Sequence, residues 1–343
     1  MLETTQNSST LSPQAALMQM LWGSWINRAI YVAAKLGIAD LLKDSPKHCN
    51  ELASITQTNT QSLYRLLRAL ASVGIFAETE SACFTLTPVA HYLRSDIPDS
   101  LRAFSLFIGA EHHYRAWGDL MYGVQTGTSS FEHLYGMPIF QYYDQNPELA
   151  EVFDQAMTSF SSTIKDAVVA SYNFSTIRTL VDVGGGQGHL LASVLQANPQ
   201  MQGILFEQDS VIEKAKPLLE GAGVFNRCKL VGGNFFESVP TEGDAYILQQ
   251  IIHDWSDEQA IAILRRCREA MSGDEKLLVV EQVIPPGNDP FFGKLVDLHM
   301  LVMLPGRERT ETEYQALFEK SGFKLVRIVA TQTTFSIIEG IPS

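Results

Sequence analysis

The segment from Arg178 to Leu195 restricts what this chain can fold into more than any other. Its apolar run to Val183 reads as a buried strand, Gly184, Gly186 and Gly188 let the backbone turn sharply beside a ligand, and Leu190, Leu191, Val194 and Leu195 recur at helical spacing. Strand, glycine loop and helix in that order make a cofactor cradle within an α/β fold. The nicotinamide and flavin fingerprint G-x-G-x-x-G does not fit, because its third glycine would fall on His189. The pattern that does fit is D-x-G-x-G-x-G, with Asp182 two residues before Gly184. Taken alone, the segment also admits a purely structural strand–turn–helix loop.

Later strands narrow the choice. Gly203 to Phe206 ends at Glu207, and an acidic residue closing the second strand of a doubly wound sheet is placed to accept hydrogen bonds from both ribose hydroxyls. An exposed strand-end carboxylate is the plainer alternative. Lys229 to Val231 runs into Gly232-Gly233-Asn234-Phe235, where an amide can bond an adenine edge and an aromatic can pack on its face. A turn role for Asn234 competes with that reading. A fourth strand, Asp244 to Leu248, leads into Gln249-Gln250-Ile251-Ile252-His253-Asp254-Trp255-Ser256-Asp257-Glu258.

This order of motifs resembles the small-molecule O-methyltransferases of the caffeic acid and hydroxyindole type, which use S-adenosylmethionine (SAM) and have bacterial relatives in secondary metabolism. The resemblance continues through Val280-Glu281, Asp297 to Leu301 and Gly306-Arg307-Glu308-Arg309-Thr310, and so covers nearly the whole chain. It implies an α/β, Rossmann-like class I SAM methyltransferase domain over 166–343. Before it are expected a mainly helical, winged-helix dimerisation domain over 1–100 and connecting helices over 101–165 that line an acceptor pocket. By the resemblance, SAM is held by Asp182, Gly184, Gly186, Gly188, Glu207, Asn234, Phe235 and Gln249. His253 is the implied catalytic base, flanked by Glu281 and Glu308, while Phe153, Met157, Phe160, Asp254 and Met300 face the acceptor. Asn234 departs from the plant pattern by replacing an aspartate, Phe235 by replacing a methionine and Gln249 by replacing a lysine. The segment between Asp297 and Glu308 is also shorter by a residue.

The chemistry agrees with the resemblance. Methyl transfer from a sulfonium is an in-line displacement, and a phenol attacks far better as its anion. With a phenol pKa of roughly 10 a base must take the proton as attack proceeds, and histidine, unperturbed near ~6.5, suits the task. The expected reaction is O-methylation of a phenolic or enolic hydroxyl on a small aromatic metabolite; N-methylation or hydroxylation on the same fold is the alternative. Ser256 is expected to cap a helix over Gln259 to Met271, with Asp257 and Glu258 as first-turn acids, while Asp254 is left to position His253 or the acceptor.

Charge and cysteine usage bound the partners. Asp and Glu outnumber Lys and Arg 38 to 25, giving a formal net charge of −13 that argues against a polyanionic partner. Cys49, Cys83, Cys228 and Cys267 lack metal-ligand spacing and suit reduced thiols, and the adjacent His112 and His113 should diverge on a helix, so a cytoplasmic protein without a metal site is expected. Met1 to Ser12 lacks a signal pattern, and Arg28 and Lys35 interrupt the apolar stretch Ala15 to Leu42, which speaks against a membrane partner.

One rival of another class arises near the amino terminus. Asn50 is expected to cap a helix over Glu51 to Thr56, and Ser62 to Val73 shows Leu63, Leu66, Leu67 and Leu70 on one face. Ile75 to Glu78 then pairs with Cys83 to Thr87 as a hairpin. Such a winged helix–turn–helix would suit a transcription regulator. From Asp44 to Arg102, however, five Lys/Arg stand against six Asp/Glu, whereas phosphate contacts need a basic face, so no nucleic-acid partner is expected. Leu17, Met20, Leu21, Trp22, Trp25, Ile26 and Ile30 read equally well as a homodimer interface or as core.

Overall fold

The computed structural model describes residues 12–343, without the side chains of 160–163, so Met1 to Leu11 and the side chain of Phe160 lie outside the described residues. The chain divides into two compact units, one ending at Glu111 and the other running from His112 to Ser343. The division falls inside 101–165: the helix Arg102–Ile108 belongs to the first unit and everything from His112 onward to the second.

In the first unit Ser12 caps the helix Pro13–Lys35, accepting from the Ala15 amide with Pro13 in the first turn. The helix Cys49–Thr56 begins two residues earlier than an Asn50 cap would allow. The His48 imidazole, not Asn50, is the cap and accepts from the Asn50 amide, because the chain leaves the short strand β1 (Lys47–His48) directly into the helix. Asn59 caps the next helix, Thr60–Ser72, which buries Leu63, Leu67 and Leu70. Antiparallel β2 (Phe76–Glu80) and β3 (Cys83–Leu86) form the wing, with β1 on the far side of β3. Pro13–Lys35 buries only Ala33 and Ala34. Leu17, Met20, Leu21, Trp22 and Trp25 are instead 44–76% exposed, so within one chain they are surface and not core.

The second unit is built on a seven-stranded sheet. Its strands are β4 (Thr179–Val183), β5 (Gln202–Glu207), β6 (Cys228–Gly232), β7 (Ala245–Gln249), β8 (Lys276–Gln282), β9 (Phe323–Ala330) and β10 (Phe335–Pro342), in the order β6-β5-β4-β7-β8-β10-β9. The first five are parallel, and β10 inserts antiparallel to both neighbours. Strands buried on both faces need continuous apolar sequence, as in Tyr246-Ile247-Leu248 and Leu277 to Val280. One face packs under the helices Pro147–Ser171 and His189–Ala197 and the other under Asp257–Ala270 and Glu311–Lys320. The order reverses between β4 and β7, so a crevice opens beyond their carboxyl ends, where such sheets take their ligands. No described helix is long and apolar enough to cross a membrane.

Candidate active site

At that crevice the chain leaves β4 through Gly184, Gly186 and Gly188, whose φ angles of 70, 56 and 84° favour glycine. Gly188 caps the helix His189–Ala197, and a methyl group on Gly186 would meet nothing within 4 Å, so a ligand can approach its backbone. Asp182 lies under this loop, 1% exposed, and neither of its carboxylate oxygens has a hydrogen-bonded partner of ordinary geometry. Burial, then the nearby Glu207 charge, raises its pKa from 3.8 to about 7, and the Leu191 backbone amide offsets this only in part.

Glu207 closes β5 with one oxygen accepting from the Gly186 amide at 3.0 Å and the other from Gln208 at 2.7 Å. The same carboxylate therefore shapes the glycine loop at the carboxyl end of β5. Phe235 stands beside Gly184 and edge-on to Trp255, ring centres 6.0 Å apart. Asn234 is exposed, and its oxygen accepts from the Phe236 amide, so it also builds the turn that carries Phe235. Gln249, at the end of β7, has a buried side-chain oxygen without a hydrogen-bond partner. An unpartnered buried carboxylate, an unpartnered amide oxygen and an open glycine loop on one crevice fit the polar groups of SAM.

Beyond β7 the chain turns abruptly at Gln250, which holds φ at 55°. This left-handed residue swings Ile251, Ile252 and His253 so that their three amides converge on one oxygen of Glu281, at 3.0, 3.0 and 3.3 Å. Glu281 thus anchors the loop backbone. Its other oxygen is 3.7 Å from His253 Nδ1, whereas Glu308 is 2.7 Å from the same nitrogen and is the imidazole's hydrogen-bond partner. Asp254 stands 3.3 Å from Nε2. Sequence alone treated the two glutamates as equivalent flanks; the geometry separates backbone anchor from imidazole partner.

Burial by itself would lower the His253 pKa, but the carboxylates of Glu281, Glu308 and Asp254 and the hydrogen bond with Glu308 outweigh it and hold it well above 6.5. Burial raises Glu281 to about 7 and Asp254 to about 6, with His253 opposing both. His253, Glu281 and Glu308 bring potential ligand atoms within 4.8 Å of one another, a spacing that would also admit a metal ion. Nδ1 and one oxygen of Glu308 already bond each other at 2.7 Å, while the second oxygens of Glu281 and Glu308 are buried without a hydrogen-bond partner.

A network of aromatic side chains reaches Trp255, on the loop that carries His253. Phe153 stacks on Tyr143 at 5.0 Å, Phe140 on Trp255 at 6.3 Å, Met157 is half-buried, and Met300 is buried on the helix Gly293–Met303. His112 and His113 do not diverge as adjacency on a helix suggested. Their ring centres are 4.6 Å apart, with His112 bonded to the Tyr143 hydroxyl and His113 stacked on His299 at 5.5 Å, because the helix they occupy is enclosed by aromatic neighbours. The Trp117 indole donates to His299 Nδ1 at 3.1 Å.

Arg309 and Gly306 were not singled out from sequence. Arg309 is 1% exposed and bonds the loop that carries His253, while a methyl group on Gly306 would run into the backbone of His253, Asp254 and Trp255. Both lie in a motif that the resemblance did flag. Nothing local distinguishes a buried arginine there from a solvated one.

Two family models match the chain, the O-methyltransferase domain over residues 117–324 and the O-methyltransferase dimerisation domain over residues 18–96. Among curated proteins it is 47% identical to phenazine O-methyltransferase PhzM of Lysobacter antibioticus, over 95% of each chain. It is 32% identical to the phenazine-1-carboxylate N-methyltransferase of Pseudomonas aeruginosa, over 94% of this chain and 96% of that one. The crystal structure of LaPhzM superposes with a TM-score of 0.94 at 46% identity, covering 97% of this chain and 100% of that one. An O-methyltransferase from neocarzinostatin biosynthesis, solved with SAM and 2-hydroxy-5-methyl naphthoic acid, superposes with a TM-score of 0.81 at 29% identity, covering 92% and 96%.

Proposed function

Because the chain belongs to the SAM-dependent O-methyltransferase family, dimerisation domain included, we propose that it methylates a phenolic or enolic oxygen of a small planar aromatic metabolite, with His253 as the base. The observation that carries this reading is the buried His253–Glu308 pair at 2.7 Å beside the cofactor crevice. SAM supplies an electrophilic methyl on a sulfonium, so the acceptor oxygen needs only to be aligned and relieved of its proton. Glu308 holds Nδ1, so Nε2, with Asp254 3.3 Å away, is the nitrogen to take that proton, and the surrounding carboxylates stabilise the imidazolium that results. A histidine whose pKa is raised also stands closer to a phenol's value of roughly 10, which makes it a stronger proton acceptor than a free imidazole. The aromatic cluster of Phe140, Tyr143 and Phe153, which reaches Trp255 beside His253, suits a flat ring system.

Nitrogen methylation is the second reading, since an N-methylating relative matches over nearly the whole chain. An aromatic nitrogen presents a free lone pair and needs no base before attack. A buried histidine with two buried glutamates would then be costly machinery without a task. Incubation with SAM and either a hydroxyphenazine or phenazine-1-carboxylate, followed by mass spectrometry and NMR of the product, distinguishes the two: O-methylated hydroxyphenazine is expected. A methyl group found only on nitrogen would refute the proposal.

We further read the exposed Leu17, Met20, Leu21, Trp22 and Trp25 as a face covered by a second copy of the chain. A contiguous apolar stripe of this kind is expensive to leave in water, and it begins where the dimerisation match begins. Four unpaired cysteines, three of them buried, are compatible with a reducing cytoplasm.

A further inference from the structure

Arg309 is a fully buried cation that no step of the proposed chemistry uses. All of its donor capacity is nonetheless engaged. Nη1 donates to the carbonyls of Ile252 at 3.0 Å and Arg307 at 3.2 Å, and Nη2 to the Trp255 carbonyl at 3.0 Å; Nε and Nη2 also grip Asp257 at 3.0 and 2.8 Å. The carbonyls of Ile252 and Trp255 bracket His253 and Asp254. The Arg309 backbone meanwhile directly follows Glu308, and its carbonyl accepts from the Ile284 amide just beyond β8. Asp257 is the first residue of the helix Asp257–Ala270, so the clamp is also fixed to a rigid element.

We propose that Arg309 is a positioning residue for the base: one guanidinium fork ties the loop carrying His253 to the segment carrying Glu308 and so sets the contact between them. This rests on His253 being the base. Five donors in a planar fork can reach three carbonyls and a carboxylate at once, which a single ammonium cannot, so the geometry calls for arginine and not merely for positive charge.

The test is Arg309→Lys, which keeps the charge and removes the fork. Nitrogen-15 NMR of His253, in protein saturated with S-adenosylhomocysteine, reads the contact without needing an acceptor. The imidazole should titrate lower in Arg309→Lys than in wild type, in the direction seen for Glu308→Gln. The double variant should go no lower than Glu308→Gln alone, because both act through one contact. Turnover of a hydroxyphenazine should fall roughly tenfold to a hundredfold with its KM within about twofold, since misplacement of the base is felt in the transition state.

A folded Arg309→Lys protein with wild-type titration and turnover would overturn the proposal, as would losses that multiply in the double variant. If Arg309→Lys does not fold, Asp257→Asn loosens the clamp from its exposed end, and an unmoved His253 titration there overturns it equally. Should His253→Ala keep normal turnover, the base assignment falls, while the titration shift in Arg309→Lys still decides the clamp.

Discussion

Asp182 offers the sharpest quantitative test of how this site is built. It sits beneath the glycine loop with both oxygens unpartnered and its pKa raised from 3.8 to about 7, chiefly by burial and then by Glu207. A native value above the unfolded one means that the folded protein holds a proton the unfolded chain has released. The associated stability is fully present below 3.8 and is lost as pH rises through about 7. A displacement of about three pH units at ~1.4 kcal/mol each sets an upper limit of roughly 4 kcal/mol on that loss. Asp182→Asn keeps the shape and removes the titration. Without cofactor, its stability relative to wild type should therefore improve from about pH 4 to about pH 7 and level off above that. At ~2–4 °C per kcal/mol for a unit of this size, the melting temperatures should diverge by up to about ten degrees. Glu281 and Asp254 titrate in the same window but do so in both proteins and cancel in the difference. Thermal melts at three pH values suffice. Curves for the two proteins that run parallel across this range would refute the account of Asp182 as a buried, unpaired acid. If its oxygens serve the cofactor, S-adenosylhomocysteine should also bind the asparagine variant more weakly by calorimetry.

His253→Ala should lower turnover about 10²–10⁴-fold with S-adenosylhomocysteine affinity nearly intact. The wild-type rate should rise with pH along a limb lying above the ordinary histidine value, because the base works only when neutral and its pKa is raised; a limb that persists in His253→Ala would reject the assignment. Glu207→Ala should weaken S-adenosylhomocysteine binding by ~1–3 kcal/mol and loosen the Gly186 backbone it now holds, and unchanged affinity would reduce it to a loop residue. Light scattering should report a particle near twice the 38.0 kDa chain mass, and a charge at Trp25 or Leu21 should dissociate it; a wild-type monomer at micromolar concentration would refute the interface.

The amino-acid order by itself determined the parallel sheet, the glycine loop after β4, the acid closing β5 and the histidine after β7. Each of these is written in local chemistry: apolar runs long enough for buried strands, glycine where φ must be positive, a carboxylate where a strand ends. The resemblance added Glu281 and Glu308, which lie far apart in the chain and carry no signal of their meeting. What only the tertiary structure decided was the division of labour between them. It depends on Gln250 turning left-handed so that three amides reach Glu281, which leaves Glu308 alone to bond the imidazole. The fate of Trp22 and Trp25 was undecidable for a similar reason, since an amphipathic stripe looks the same whether it meets its own core or a partner. Arg309 was invisible because a buried cation is specified by the carbonyls that converge on it. Those carbonyls belong to a loop some fifty residues away in sequence, brought there only when β7, β8 and the helix Asp257–Ala270 have packed.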